Sequence, residues 1–144
     1  VKAEESKVEA NKAQPIKTHA ATDAEKEAYK SAFSLMRASK YKESIAAFES
    51  FLQTYPKSDL ASNAAYWAGE GYLVKDKNEE ALKSFMIVLE SYPDSPKVPD
   101  ATLRAGDSYD RLGQADKAKA MYKKVIAERP HSKAADNARK RLEP

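Results

Sequence analysis

Along most of this chain, apolar side chains return at intervals of three and four, the spacing that lays a stripe down one face of an α-helix. Ala28, Tyr29, Ala32, Phe33, Leu35 and Met36 make one stripe, and Ile45, Phe48, Phe51 and Leu52 make the next. The pattern then recurs with a period of 37 residues. Phe48, Phe85 and Tyr122 fall in register, as do Phe51, Val88 and Val125, and Leu52, Leu89 and Ile126. A helix-turn-helix unit repeated at this period signals a helical repeat array. Small residues at Ala32, Gly69 and Gly106 hold one register position and large ones at Phe48, Phe85 and Tyr122 the facing one, so the two helices of each hairpin are expected to pack closely.

Punctuation recurs with the same period. Pro56, Pro93 and Pro130 disfavour helical geometry in the residue before them and lack an amide hydrogen, so the second helices should end near Tyr55, Tyr92 and Arg129. Ser58, Ser95 and Ser132 are each placed to cap the following helix, with Ser95-Pro96 pairing an N-cap with a first-turn proline. Thr22-Asp23-Ala24-Glu25 matches a capping box and marks the start of the fold. Residues 1–22 read as a flexible polar linker, because Val1 and Val8 have no partner seam and Pro15 interrupts any helical continuation. The predicted architecture is all-α: three helix hairpins at about 23–60, 61–98 and 99–133, then a capping helix over 134–142, seven helices in a right-handed superhelical solenoid.

Composition narrows the possibilities. With 42% hydrophobic and 33% charged residues and four glycines, the chain is too apolar to be wholly disordered and favours helices. The longest apolar run, Phe85 to Leu89, is far short of the roughly 20 residues a membrane helix needs. Without cysteine there is no disulfide, thiolate metal site or lipidated cysteine in these 144 residues. The chain starts at Val1 rather than methionine, so a processed or partial form is expected, with any targeting signal out of view. The net charge of +3 is modest, and the basic excess gathers in Lys123-Lys124 and Arg139-Lys140-Arg141, a weaker stripe than nucleic-acid binding usually shows.

Gly69, Tyr72, Ala81, Phe85 and Pro93 together resemble the tetratricopeptide repeat. Gly106, Tyr109, Ala118, Tyr122 and Pro130 repeat the match, and Ala32, Leu35, Ser44, Phe48 and Pro56 repeat it more loosely. Asn63-Ala64-Ala65-Tyr66-Trp67-Ala68-Gly69-Glu70, the Tyr-Pro-x-Ser segments at 55–58 and 92–95, and the ending Ala134-Ala135 through Arg141-Leu142 are similar to the C-terminal repeat domain of the Tol-Pal-associated YbgF/CpoB family. Ala68 stands where that family usually has leucine, and Arg129 where it has tyrosine. The resemblance implies a periplasmic adaptor that binds TolA and links peptidoglycan synthesis to outer-membrane constriction during cell division. It also implies a peptidoglycan synthase as a second partner and a trimerising coiled coil upstream, without which this chain would be monomeric. Two other readings stay open: a subunit of the outer-membrane barrel assembly machinery, and a noncatalytic domain of a larger envelope enzyme.

An array of hairpins exposes its first helices on a concave side suited to peptides or partner helices. By register, the candidate binding residues are Tyr29, Phe33, Tyr66, Trp67, Glu70, Leu73, Leu103, Arg104 and Asp107. Trp67 reads equally as a groove hot spot or as packing between repeats, whereas Tyr29 and Leu103 read as core between repeats. Arg104 is placed to pair with a partner's carboxylate or with Glu70 or Asp107. The carboxylate clamp of cytosolic co-chaperones is not expected, since Tyr29, Phe33, Trp67 and Asp100 stand where it needs Lys and Asn. His19 and His131 sit in a linker and a turn without a matching carboxylate, and no metal spacing or phosphate loop occurs, so neither catalysis nor a cofactor is expected.

Overall fold

The computed structural model describes residues 14–144, which form seven helices. They are α1 (Asp23–Arg37), α2 (Tyr41–Thr54), α3 (Ala61–Val74), α4 (Asn78–Ser91), α5 (Val98–Arg111), α6 (Ala115–Glu128) and α7 (Lys133–Leu142). Each packs against the next, and α7 also reaches back to α5. The fold is therefore three successive hairpins closed by a final helix, an all-α solenoid as the periodicity predicts.

The small-against-large rule holds the hairpins together. A Cβ placed on Gly69 would come within 2.6 Å of the Phe85 ring, and one on Gly106 within 2.6 Å of the Tyr122 ring. Ala32 and Phe48 fill the same positions in the first hairpin, both fully buried. In that hairpin Ser44 takes the place held later by Ala81 and Ala118. Its hydroxyl donates to the Ala32 carbonyl at 3.0 Å, which satisfies a polar atom at a fully buried position. A second close approach, between hairpins, occurs at Gly71, where a Cβ would lie 2.7 Å from Ile45 Cγ1.

All three hairpin turns share one geometry. Ser39, Asp76 and Gly113, spaced by the repeat period, adopt left-handed φ values of 61°, 59° and 78°. The amides of Lys40, Lys77 and Gln114 then donate to the carbonyls of Leu35, Tyr72 and Tyr109, each at 2.9 Å. This closes the helix end as a Schellman-type cap does.

Capping agrees with the sequence pattern at the two ends of the solenoid and departs from it between. The Thr22 hydroxyl accepts from the Glu25 amide at 3.2 Å while Glu25 Oε2 accepts from the Thr22 amide at 2.9 Å, a complete capping box. Ser132 caps α7 by accepting from the Ala135 amide. Ser58 and Ser95 do not cap α3 and α5. They accept from Leu60 and Lys97, two residues on, and form a turn that delays each helix to Ala61 and Val98. The proline in the first turn of α5 is Pro99, not Pro96. The second helices do end at Tyr55, Tyr92 and Arg129.

Residues 1–13 of the expected linker lie outside the described residues. Residues 15–19 are tied to the repeats, unlike the free linker that their composition suggests. The Ile16 amide donates to Ser91 O, the His19 amide donates to Lys57 O, and the Asp59 amide donates to His19 O, at 2.8, 2.8 and 2.9 Å. This strap makes an isolated parallel bridge with Ser58 and packs Ile16 against the hydrophobic cluster built on Ala32, Phe48 and Phe51. His19 also meets a carboxylate after all, Nε2 lying 2.7 Å from Glu25 Oε1. The capping box turns Glu25 back over the helix start, and that brings it beneath the strap.

Candidate partner-binding groove

The first helices α1, α3 and α5, followed by α7, are joined across their exposed face at one recurring register. Phe33 meets Trp67, Glu70 meets Arg104, and Asp107 meets Arg141. The two charged pairs are each separated by 34 positions, as are the two aromatics. The same structural position is thus filled by shape at the first junction and by charge at the next two.

At the first junction, the Phe33 and Trp67 rings meet edge to face with centroids 5.0 Å apart, and Tyr66 meets Trp67 similarly at 5.2 Å. Tyr29 stacks beside Phe33 at 6.2 Å. Edge-to-face contacts of this kind stabilise by about 1 kcal/mol beyond area burial. All four rings remain partly exposed. Tyr29, Phe33 and Trp67 border a cleft of about 390 Å³ with Lys30, Arg37 and Lys97 at its rim. The Lys97 ammonium lies 4.7 Å from the Tyr66 centroid, and the Arg37 guanidinium 4.9 Å from that of Phe33. Burial pushes the Tyr29 phenol up, and burial with Glu70 and Asp100 does the same for Tyr66, so both stay neutral donors.

At the second and third junctions the charges form a ladder. Arg104 Nε donates to Glu70 Oε1 at 2.5 Å, and its Nη1 donates to Asp107 Oδ2 at 2.8 Å. Arg141 Nε donates to Asp107 Oδ1 at 2.6 Å, and the Tyr122 hydroxyl donates to the same oxygen at 2.6 Å. Burial works against the charge on Arg104, yet Glu70 and Asp107 hold its guanidinium above the usual range. Burial likewise opposes ionisation of Asp107, but hydrogen bonds from Arg141, Tyr122 and Arg104 keep its carboxyl below the usual range. Arg104 therefore takes the second of its two expected roles and binds carboxylates of its own chain.

The nine candidate residues divide accordingly. Tyr29, Phe33, Tyr66 and Trp67 border or adjoin the open cleft. Glu70, Arg104 and Asp107 join the ladder. Leu73 and Leu103 are 3% and 5% exposed and belong to core clusters, so neither is available to a partner. Their positions turn inward because each sits on the helix flank that meets the second helices. Lys30, Ser34, Arg37, Asn63 and Lys97 complete the cleft and were not among the candidates. Lys30 and Lys97 carry no apolar signal, and Lys97 lies in a connection between hairpins. Among the described residues, no group of three or more His, Cys, Asp or Glu is placed to hold a metal ion, and no helix is long and apolar enough to cross a membrane.

The profile of the tetratricopeptide repeat matches residues 28–58, 63–95 and 100–132. The chain belongs to the tetratricopeptide repeat family. A stretch of 51 residues is 43% identical to the cell division coordinator CpoB of Pseudomonas putida, covering 35% of this chain and 19% of that protein. The match thus spans about a fifth of the relative's length. Solved structures agree in fold at low identity. The Arabidopsis OM64 TPR domain superposes with a TM-score of 0.67 at 16% identity, covering 84% of this chain and 95% of that one. The Sgt2 TPR domain from Aspergillus fumigatus gives 0.67 at 18%, covering 85% and 78%. The second TPR domain of human RPAP3, solved with an HSP70 peptide, gives 0.66 at 19%, covering 81% and 92%.

Proposed function

We propose that this protein is a periplasmic adaptor of the Tol-Pal cell-envelope system that binds TolA and helps couple peptidoglycan synthesis to outer-membrane constriction during cell division. The observation that carries this reading is the 43% identity with the cell division coordinator, which adds a cellular setting to a fold built for holding protein partners. The open aromatic cleft supports the same role, because partly exposed aromatics with cations at their edge suit recognition of another chain. The work done is binding rather than catalysis. Tyr29, Phe33, Tyr66 and Trp67 supply apolar contact, while the Glu70–Arg104–Asp107 ladder keeps the neighbouring repeats in register beneath the partner.

Direct titration of purified TolA into this chain by calorimetry tests the proposal. Saturable binding that Trp67→Ala weakens about thirtyfold, equivalent to roughly 2 kcal/mol, is the expected result. No heat of binding at high micromolar concentration of both proteins would overturn the TolA assignment.

A further inference from the structure

The cleft at the first junction is unlike the rest of the face in the balance of its charges. Its floor is Tyr29, Phe33 and Trp67, and its rim is Lys30, Arg37 and Lys97. Among the described residues, Lys97 pairs with Asp100 at 3.8 Å, and neither Lys30 nor Arg37 is in a salt bridge. The neighbouring carboxylates Glu70 and Asp107 are already held by Arg104 and Arg141. A ligand's apolar side chain can therefore settle on the aromatic floor only with positive charge around it.

The cleft also continues beyond the repeats. Asn63 is a wall of the aromatic cleft and of a second, longer groove of about 930 Å³. That groove runs between the Tyr92–Pro96 connection and the strap residues Pro15, Ile16, Lys17 and Thr18. The strap thus contributes a wall and one cation, Lys17, from outside the residues matched by the repeat profile, while Asp59 and Asp94 line the same groove, so its charge is mixed where the aromatic cleft's rim is basic.

We infer that the adaptor's partner presents an extended segment whose apolar anchor, leucine or aromatic, is flanked by Asp or Glu where it crosses the aromatic cleft, and which continues past Asn63 along the strap without a need for acidic residues there. This rests on the adaptor reading and names the chemistry its groove selects. The anchor covers Trp67 and Phe33, and the flanking carboxylates meet Lys30, Arg37 and Lys97. Opposite charge at the rim adds specificity and speeds encounter, while like charge there is disfavoured.

A set of short synthetic peptides tests it, each with a central Ala, Leu, Phe or Trp between flanks of Asp, Ser or Lys, titrated against the full chain by fluorescence anisotropy. Asp-flanked Leu, Phe or Trp peptides should bind at least about tenfold more tightly than their Lys-flanked twins and than the Ala-centred peptides, with the gap shrinking at high salt. The double variant Arg37→Glu with Lys97→Glu, checked for native helicity, should reverse the flank preference. Ile16→Asp, which disrupts the seat of the strap, should reduce the gain from lengthening the peptide and leave anchor recognition intact. Equal binding of all flanks, a preference for Lys, or an unchanged preference in the double variant would overturn the inference. A length gain that survives Ile16→Asp would remove the strap from the site. If TolA binds while the peptides show no preference, this inference falls and the adaptor reading stands. If the peptides discriminate while TolA does not bind, the groove chemistry holds and the partner has been misassigned.

Discussion

The first and second junctions between hairpins occupy one register position and solve it in opposite ways. Phe33 and Trp67 meet through ring edges and leave a cleft open beside them, whereas Glu70 and Arg104 close on each other through paired hydrogen bonds. The charged pair satisfies its own polar groups, and Asp107 and Arg141 repeat the arrangement one unit later. Aromatic rings have no such closure: their faces accept further apolar contact, and nearby cations gather around them. One repeat scaffold can therefore leave one junction open and close the next without altering its backbone period.

The largest effect should come from breaking the cohesive end. Asp107 is 8% exposed and accepts from Arg104, Arg141 and Tyr122. Replacing it with alanine leaves those donors short of a partner, and a loss of about 3 kcal/mol is expected, visible as a fall of about 10 °C in melting temperature. Peptide and TolA binding should survive at temperatures where the variant is folded. An Asp107→Ala protein that melts like the parent would show the ladder to be ornamental.

Trp67→Ala should have the next largest effect and a different signature. Trp67 packs against the cluster of Ala32, Phe48 and Ala64 yet stays partly exposed, so a stability loss of about 2 kcal/mol is expected, below the range for a fully buried aromatic. Affinity should fall as well, by a similar free energy. Intact affinity in a correctly folded variant would remove the aromatic end from recognition.

Exchanging the two solutions sharpens the contrast further. Phe33→Glu combined with Trp67→Arg places a charged pair at the first junction. Each single change should be destabilising, with the double variant about 1 kcal/mol more stable than the sum of the two losses. Strict additivity in chemical denaturation would mean that the register does not bring positions 33 and 67 together as it does 70 and 104.

Acid should act through two separate carboxylates. The Thr22 amide, working against the cost of burial and aided by His19, draws the Glu25 carboxyl from 4.5 to about 2. Asp107 is also held below its ordinary 3.8. Both folded-state values are depressed, so their contributions are complete above the unfolded values and fade as pH falls from about 4.5 toward 2. Glu25→Gln should flatten the part of the acid melting curve tied to the strap and α1, and Asp107→Asn the part tied to α5 and α7. Melting temperatures that stay constant through this window would contradict the assigned pairings.

Periodicity alone determined the hairpins, the ends of the second helices at Tyr55, Tyr92 and Arg129, and the facing pairs Gly69–Phe85 and Gly106–Tyr122. All of these come from contacts within one repeat, where spacing along the chain dictates what can touch. Only the tertiary structure decided that Leu73 and Leu103 turn inward, that Arg104 is taken by Glu70 and Asp107, and that Lys97 joins a cleft floored by residues of α1 and α3. It alone placed Ile16 and His19 against Ser91 and Lys57, because backbone hydrogen bonds between distant segments leave no side-chain pattern to read. Ser58 and Ser95 show the boundary most plainly. Their spacing from proline matches that of Ser132, but only Ser132 caps the helix after it. A serine's preference is local, whereas the point at which the next helix can start is set by the hairpin it must pack against.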